Sequence, residues 1–488
     1  MKKLTTLLCV ALCIVSTIYA QNKPTGVFMN LYANDMAQPK GISENGMWAC
    51  GSAFWSGNEN QVGAINASKW NLETGERIYL VGEGDVSDAL GINNDGTLVC
   101  GSYMNQPAYW SESDGLWHVL PLPRGASGAG DVYAMTIVGG DTIMAGFIYE
   151  SNTKGKIVRW INGEVDNNFK YRDYTRYKEI TGDEIEGEMQ LLRGMSTDGE
   201  RYLISLDHSL LPSVGSSNLP TTFVQLGDDE NYTTQVIERE FGIYDLVSFV
   251  EDAAMSFNGK YVCGRIYGVP RDGVEATESP AVAFSYDVDN DKLTDYGYIE
   301  STGRYVGASC VDNQGHVYFK SIDGATPLGK PYIYKNGEYI ELEKCLLAYE
   351  GITAEQIDAI AEEVVGSDAD DLGIVWCVSA DGKTLIGAGD ALKGNIWCAK
   401  LSCSPYDILD IETNTENVTY DNLAANYANG MITLSGNADM IDVYSITGAK
   451  IMSQAVENNT IKADLRNGIY VVKIYNGNTI ATSKIIVK

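Results

Sequence analysis

A short stretch rich in tyrosine and arginine is the strongest candidate for a binding surface in this sequence. It offers five side chains that can stack on a ligand or hydrogen-bond it: Tyr171, Arg172, Tyr174, Arg176 and Tyr177. Tyrosine and arginine are the usual anchors of recognition surfaces. The alternative is an amphipathic segment packed on a neighbouring element, because alternating aromatic residues more often pack than recognise a ligand.

No catalytic or metal-binding pattern is recognisable in the chain. The histidines, His118, His208 and His316, lie far apart and form no pair at metal-ligand spacing. The run 287–291 has the carboxylate spacing of a calcium loop, but Lys292 stands where that loop needs glycine. We interpret this run as a hairpin turn, and we predict no catalytic residue, no metal site and no cofactor.

A repeat that runs through most of the chain must position any functional residue. Its clearest copy spans residues 89–110: a short strand, a turn at Asp95-Gly96, an apolar strand and an aromatic strand. Seven turns mark the copies: Asn45-Gly46, Asp95-Gly96, Gly140-Asp141, Asp198-Gly199, Asn258-Gly259, Gln314-Gly315 and Asp381-Gly382. A fourth strand follows in the copies before the last, so the chain is predicted to be all-β, a seven-bladed β-propeller followed by a small C-terminal β-sandwich.

Two features are predicted to complete the propeller. The last copy lacks a fourth strand, and residues 26–32 supply a spare one, so we expect the N-terminal strand to join the last blade. Three segments, 161–192, 212–250 and 340–372, are interpreted as insertions on one rim of the ring. The third is predicted to be helical, because Thr353 and Gln356 have the spacing of a capping box.

The domain limits follow from shifts in composition. Residues 1–20 are predicted to be a signal peptide, cleaved between Ala20 and Gln21. Residues 21–404 would form the propeller, 405–428 a polar linker, and 429–488 the β-sandwich. We predict no transmembrane segment in the mature chain and expect a monomer.

The net charge limits the classes of partner, and the positions of the cysteines indicate whether they form disulfides. The formal net charge is −30, so the chain repels nucleic acid and anionic membranes, and we expect neither as a partner. Cys50, Cys100 and Cys263 share one place in the repeat and are expected to be buried free thiols. A disulfide between Cys377 and Cys398 stays an open alternative.

Two resemblances add to these patterns. Residues 89–96, 99–102 and 108–110 follow a pattern of Ala-x-Gly-Ile-Asn, Val-x-Gly-Ser and Ala-aromatic-Trp, with Cys100 at the variable position of the second element. The repeat resembles the extracellular HAF-type repeat, which implies a propeller-like secreted protein without a defined activity.

Three C-terminal segments, 441–451, 465–474 and 483–488, carry a sharper pattern. They resemble the C-terminal sorting domain of the type IX (Por) secretion system of Bacteroidetes. The resemblance implies that the secretion machinery is a partner, and that the protein passes through the periplasm to be secreted or displayed on the outer-membrane surface. The residues matched to the sorting motif are Tyr444, Gly448, Lys450, Gly468, Tyr470, Lys473 and Lys484.

Two functions of different classes stay open. The first is a binding or scaffold module at the cell surface, whose ligand is an envelope or host-derived glycan or protein. The second is a hydrolase or lyase that acts on polysaccharide with carboxylates in the propeller channel. Since the sequence lacks catalytic motifs, we favour the first.

Overall fold

Residues 26–401 supply seven antiparallel sheets of four strands each in the computed structural model of the protein. The structure describes residues 24–31, 37–57, 62–82, 86–126, 128–151, 154–171, 190–206, 222–237, 244–270, 281–296, 305–322, 330–361, 372–389, 396–408, 425–428, 430–436, 438–445, 450–456, 458–466, 468–476 and 479–487. The chain divides into two compact units, Met1–Ile408 and Leu409–Lys488. The predicted limits of the linker stay a prediction.

Six sheets, or blades, are each built from four consecutive strands. Blade 1 comprises β2 (Ala37–Ile42), β3 (Trp48–Gly57), β4 (Val62–Asn71) and β5 (Arg77–Tyr79). Blade 2 comprises β6 (Ser87–Ile92), β7 (Leu98–Tyr103), β8 (Gln106–Ser111) and β9 (Leu116–Val119). Blade 3 comprises β10 (Gly130–Val138), β11 (Asp141–Ser151), β12 (Lys154–Ile161) and β13 (Glu164–Val165). Blade 4 comprises β14 (Gln190–Met195), β15 (Arg201–Leu206), β16 (Thr222–Leu226) and β17 (Thr233–Val236). Blade 5 comprises β18 (Tyr244–Met255), β19 (Tyr261–Pro270), β20 (Ala281–Asp287) and β21 (Lys292–Asp295). Blade 6 comprises β22 (Tyr305–Val311), β23 (Val317–Ile322), β24 (Pro331–Lys335) and β25 (Glu338–Glu341).

The seventh blade combines both ends of this unit. From the inside outwards it holds β26 (Ile374–Val378), β27 (Thr384–Ala388), β28 (Ile396–Leu401) and β1 (Gly26–Asn30). β1 pairs antiparallel with β28, and the Phe28 ring stacks on the indole of Trp397 with centroids 5.7 Å apart. The predicted closure by the N-terminal strand is confirmed. The first strands of the seven blades contact one another in a closed circle, which makes this unit a seven-bladed β-propeller.

Hairpin turns between the first and second strands form a ring at one end of the propeller, which we call the turn ring. In six blades the glycine that closes the turn has φ between 68° and 86°, so a residue with a Cβ would be strained there. A serine, asparagine or aspartate three residues earlier accepts backbone N–H groups from beyond the turn, as Ser379 Oγ does from Thr384 at 2.9 Å. Blade 3 differs: its turn lies one residue earlier than predicted, at Gly139-Gly140.

The turns also bond to one another across the blade junctions. Asn258 donates from its backbone and from Nδ2 to Asn313 in the next blade, at 2.8 and 3.1 Å. The Ala380 N–H donates to the Glu44 carbonyl oxygen at 3.0 Å, which joins blade 7 to blade 1. The turn ring therefore contributes to closing the propeller as well as turning the chain.

Two short helices precede the seventh blade, α1 (Leu342–Leu346) and α2 (Ala354–Ala361). The predicted capping box is confirmed: the Thr353 N–H donates to Gln356 Oε1 at 2.9 Å, and the Gln356 N–H donates to Thr353 Oγ1 at 3.4 Å. Ile357 and Ile360 are buried, and α2 contacts β1. The described part of this insertion therefore supports the strand that closes the ring.

The interpretation of 212–250 as an insertion is wrong for much of its length. Residues 222–226 and 233–236 are β16 and β17, the outer strands of blade 4, and β18 begins at Tyr244. The repeat continues here with a buried third strand that keeps its aromatic residue, Phe223. Serine-rich residues precede this strand and the acidic residues 228–230 follow it, and this composition favoured the interpretation as an insertion.

The second unit is a small sandwich of two antiparallel sheets. One sheet has the order β29 (Ala425–Ala428), β30 (Met431–Leu434), β33 (Thr460–Lys462), and the other β32 (Lys450–Ala455), β31 (Met440–Ser445), β34 (Gly468–Asn476), β35 (Thr479–Val487). Its core includes Ile432, Ile441, Val443, Val472 and Ile474, which alternate with outward-facing residues. The predicted C-terminal β-sandwich is confirmed.

The cysteines that the structure describes are free thiols, as expected for Cys50, Cys100 and Cys263. Cys377 and Cys398 are not bridged, because both lie opposite Ile386 on the two sides of β27. Burial raises the pKa of both thiols to about 12, which keeps them protonated and unreactive.

Candidate functional site

The first strand of every blade contains a β-bulge at the same place. The unpaired residues at the bulges are Lys40, Leu90, Tyr133, Arg193, Ala253, Ser309 and Trp376, and blade 5 adds Asp252 to its bulge. We call these seven residues the bulge ring. They are exposed or half-buried, whereas the residues that precede them in most blades are buried. Because the first strands surround the central channel, the bulge ring lies on the inner side of the propeller, next to that channel.

A cleft of about 270 Å³ opens beside this wall between blades 1 and 2. Its lining residues are Ala37, Gln38, Lys40, Ser52, Ile65, Val86, Ser87 and Asp88. Ala37, Gln38, Ser87 and Asp88 lie at the beginnings of first strands, so the cleft lies at the end of the propeller opposite the turn ring. The described residues after β13 lie instead near the turn ring, where the Lys170 N–H donates to the Asp228 carbonyl oxygen just beyond β16.

An ion pair forms the polar part of the cleft. Lys40 Nζ lies 2.5 Å from Asp88 Oδ2, and Ser52 Oγ donates to Asp88 Oδ1 at 2.6 Å. The two charged side chains are 29% and 28% exposed, so solvent reaches them. Ile65 and Val86 are exposed apolar walls beside this pair. A cleft with apolar walls and a few fixed polar groups is the usual form of a ligand site.

Blade 3 repeats this arrangement without the cation. Asp131 is hydrogen-bonded by Ser102, as Asp88 is by Ser52, but Leu90 occupies the bulge position that Lys40 holds in blade 1. Burial raises the pKa of the Asp131 carboxyl, and the negative charge of Asp88 adds to the rise. The two carboxyls therefore differ: one is paired with a lysine, and the other is buried and has a raised pKa.

The bulge residues of blades 3 and 4 contact each other. Arg193 Nε donates to Ser205 Oγ at 3.0 Å, and Arg193 Nη1 lies 3.5 Å from the Tyr133 hydroxyl. Within the part of the chain that the structure describes, no carboxylate lies within ion-pair distance of Arg193. Trp376, the bulge residue of blade 7, is 38% exposed. Counting blades in either direction, blade 7 lies across the ring from blades 3 and 4.

Other buried cations join blades and face no open space. Lys69 is 1% exposed, and its ammonium lies 4.9 and 4.7 Å from the ring centroids of Trp48 and Trp110. It donates to the Gly96 carbonyl oxygen of blade 2 at 2.7 Å. Arg159 similarly ties blade 3 to Tyr202 of blade 4 at 2.8 Å. These contacts indicate structural roles.

The predicted tyrosine and arginine stretch lies almost entirely outside the described residues: Arg172, Tyr174, Arg176 and Tyr177 are not described. Tyr171 is half-buried and stacks on Phe169, with ring centroids 6.1 Å apart. A binding role for the stretch stays a prediction. The signal peptide, with Ala20 and Gln21, and Gly448 also lie outside the described residues.

The run 287–291 is the hairpin between β20 and β21, as interpreted. Asp289 accepts from Arg201 at 2.8 Å and lies 3.4 Å from Lys260 Nζ. Among the described histidines, His118 pairs with Asp114, and His316 pairs with Asp312. The described residues contain no cluster of three or more histidine, cysteine or acidic side chains placed to hold a metal ion.

In the second unit, the predicted sorting residues surround an aspartate that the sequence patterns did not single out. Asp442 is 3% exposed, and its Oδ2 accepts from Lys450 at 2.8 Å, Tyr475 at 3.0 Å and Tyr444 at 3.1 Å. The hydrogen bond from Lys450 holds the pKa of this carboxyl well below its usual range.

The other predicted sorting residues lie on β34 and β35. The Lys473 ammonium lies 5.6 Å from the Tyr444 ring centroid. The Tyr470 hydroxyl donates to the Arg466 carbonyl oxygen at 2.8 Å. Gly468 and Lys484 pair with Val487 and Val471 across the sheet. The arrangement joins Tyr444, Lys450 and Lys473 into one outward-facing group.

The comparisons with solved structures find propellers. The β-propeller domain of the Trilobed protease from Pyrococcus furiosus is 10% identical, with 77% of this chain and 98% of that chain covered and a TM-score of 0.42. An oligogalacturonate lyase from Vibrio parahaemolyticus is 9% identical, with 77% of this chain and 97% of that chain covered and a TM-score of 0.46. A GH74 xyloglucanase from Xanthomonas campestris is 9% identical, with 94% of this chain and 67% of that chain covered and a TM-score of 0.40. The comparison with curated proteins found no match.

Residues 424–488 match the secretion system C-terminal sorting domain, Por_Secre_tail. The protein is therefore exported by the type IX secretion system to the cell surface or the extracellular space. In the described residues, no helix has the length and apolar character to cross a membrane.

Proposed function

We propose that this exported propeller is a binding module whose ligand, a glycan or a protein of the envelope or host, enters the channel at the face opposite the turn ring. One observation carries the proposal: seven equivalent bulges on the innermost strands hold chemically different side chains that are exposed or half-buried. Among them are a phenol, an indole and a guanidinium, the groups most enriched at recognition hot spots. A position needed only for packing would repeat its residue type, as the turn glycines do.

The test compares ligand capture by the exported protein and by a variant with Tyr133→Ala, Arg193→Ala and Trp376→Ala. Both are screened on a glycan array and against solubilised envelope proteins. We expect the wild type to retain a defined ligand and the variant to lose at least about tenfold in affinity, since hot-spot truncations cost about 2 kcal/mol or more each. Equal capture by both proteins would contradict the proposal, provided that their melting temperatures agree.

A second function, polysaccharide hydrolysis or elimination, is favoured by the pair Asp88 and Asp131. A raised carboxyl pKa beside a second carboxylate is a feature of general acids. Both oxygens of Asp88 are already engaged, however, by Lys40 and Ser52, so the geometry supports binding better. Polysaccharide turnover that Asp131→Asn abolishes without loss of binding would favour the enzyme.

A further inference from the structure

Arg193 differs from the two arginines that join neighbouring blades through ion pairs. Arg159 lies 2.5 Å from oxygens of both Asp166 and Asp228, and Arg201 lies 2.8 Å from Asp289. Arg193 has a serine and a tyrosine hydroxyl instead, and none of the described carboxylates pairs with it. In a chain with 65 acidic and 35 basic residues, this leaves a positive charge on the channel wall available to a ligand.

The contacts of Arg193 also fix its orientation. Ser205 holds the Nε side and Tyr133 lies beside Nη1, so the plane of the guanidinium is set before a ligand arrives. Nη2 has no partner among the described residues. The fork of Nη1 and Nη2 matches the two oxygens of a carboxylate, which it can bind through two parallel hydrogen bonds.

Two described carboxyls near the bulge ring, those of Asp131 and Asp88, do not occupy this fork. Asp131, two residues before Tyr133 on the same strand, is hydrogen-bonded by Ser102 of blade 2, on the side away from blade 4. Asp88 is held by Lys40 and Ser52 between blades 1 and 2. Of the two cations in the bulge ring, Lys40 is therefore paired with a carboxylate, and Arg193 has no such partner among the described residues.

Trp376 supplies a different chemistry on the opposite wall. Its indole is 38% exposed, and its N–H has no partner among the described residues. The C–H groups of one face of a pyranose pack on such an exposed ring, while the sugar hydroxyls and the indole N–H exchange hydrogen bonds with their surroundings. An acidic sugar carries the carboxylate, the apolar face and the hydroxyls on one rigid ring, whereas an aspartate or glutamate side chain carries only the first.

We propose that the channel binds an acidic oligosaccharide, with Arg193 holding a uronate carboxylate and Trp376 stacking on a sugar ring. This inference rests on the proposed binding function and adds the chemical class of the ligand. Tyr133 is a positioning residue for Arg193 and also lies within reach of the ligand. No bond is made or broken in this role.

The experiment measures binding of three probes to the exported protein by calorimetry: a hyaluronan tetrasaccharide that contains glucuronate, neutral chitotetraose, and a tetraglutamate peptide. We expect the hyaluronan fragment to bind and Arg193→Gln to weaken it by about tenfold or more, as for loss of a charged hydrogen bond. Arg193→Lys keeps the charge without the fork, so its loss should be intermediate. Arg124→Gln, at an exposed arginine outside the bulge ring, is the matched control and should bind as the wild type does.

Each other result overturns the inference. Equal affinity of the Arg193→Gln variant and the wild type would remove Arg193 from the site, and tighter binding of tetraglutamate would identify a peptide ligand. Binding of chitotetraose as tight as that of the hyaluronan fragment would leave the proposed binding function standing and reject the acidic class. Failure of the wild type to bind any probe would reject the inference, while the function is decided by its own capture test. If the Arg193→Gln variant fails to fold, the affinity of the Arg193→Lys variant for the hyaluronan fragment is compared with that of the wild type, and equal affinities would overturn the inference.

Discussion

The turn ring and the bulge ring lie on the same seven strands, yet they use the repeat in opposite ways. In the turn ring the side chains repeat: a glycine with positive φ and a serine, asparagine or aspartate three residues before it recur in six blades. In the bulge ring only the backbone repeats, and the residues run from Lys40 to Trp376 without a common type. Positions that repeat their chemistry build the propeller, and positions that repeat only their geometry are free to acquire a function.

The sharpest test of this comparison uses two tryptophans of blade 7. Trp397 occupies the aromatic position of the repeat and is 0% exposed, whereas Trp376 belongs to the bulge ring. Trp397→Ala should lower the free energy of unfolding by about 3–5 kcal/mol because it leaves a large cavity. Trp376→Ala should cost less than about 1 kcal/mol. Chemical denaturation measures both, and similar losses would mean that the bulge ring is also a packing position.

Substitutions at two turn glycines can distinguish the cost of a steric clash in the turn ring from the cost of backbone strain alone. Gly46 and Gly115 have φ of 68° and 72°, but a Cβ on Gly46 would lie 2.5 Å from Thr384 Oγ1, whereas a Cβ on Gly115 meets nothing within 4 Å. Gly115→Ala should therefore cost about 1 kcal/mol of backbone strain. Gly46→Ala should cost about 3 kcal/mol, because the clash falls at the junction of blades 7 and 1. Equal melting temperatures for the two variants would show that the turns do not hold the ring together.

A milder substitution tests the bonds between neighbouring turns. Asn258→Asp keeps the oxygen that accepts from Ser256 at 2.8 Å but removes the Nδ2 donor to Asn313. We expect a loss of about 1 kcal/mol, the usual contribution of one hydrogen bond. Asp381→Asn is the converse control at the equivalent turn, because its oxygen still accepts from Ser379. It should change stability by less than about 0.5 kcal/mol.

The smallest effect is expected from the carboxyls beside the bulge ring, and it depends on pH. Burial raises the pKa of Asp131 in the folded protein, so its ionisation costs stability as the pH rises through that pKa. Asp131→Asn should therefore raise the melting temperature at neutral pH, and the gain should vanish in acid, where the wild-type carboxyl is protonated. Asp88→Asn should lower the melting temperature at neutral pH, since it leaves Lys40 without its partner. Shifts of the same sign in both variants would contradict the geometry.

The sequence predicts the parts of this fold whose cause is local. Asn258-Gly259 predicts a turn because the glycine tolerates the positive φ that the turn requires. Thr353 and Gln356 predict the start of a helix because the two residues of a capping box lie within one helical turn. The pairing of residues 26–30 with blade 7 was predictable from a count of missing strands. The outer strands of blade 4 were not, since serine-rich residues before Thr222 and the acidic residues 228–230 favoured an insertion, although Phe223 keeps the aromatic position.

The candidate site was not predictable from the sequence for a different physical reason. A bulge exists only where two strands are out of register by one residue, so Arg193 and Trp376 carry no local mark of their position. The ion pair of Lys40 with Asp88 joins residues 48 positions apart in two blades. The sequence pattern pointed instead to the tyrosine- and arginine-rich residues 171–177, because the residue types suited binding, although a sequence pattern does not show which residues they contact.

The closing strand has a consequence for the order of folding. The Thr25 amide hydrogen-bonds the Ser402 hydroxyl across 377 positions of the chain, so the seventh blade cannot be completed before almost the entire propeller has been synthesised. Contacts of such long range slow folding, because the loop they close must be ordered first. Until then β28 has an unpaired edge, which is a site for wrong pairing between molecules. β1, the first strand of the propeller to be synthesised, therefore completes its last blade.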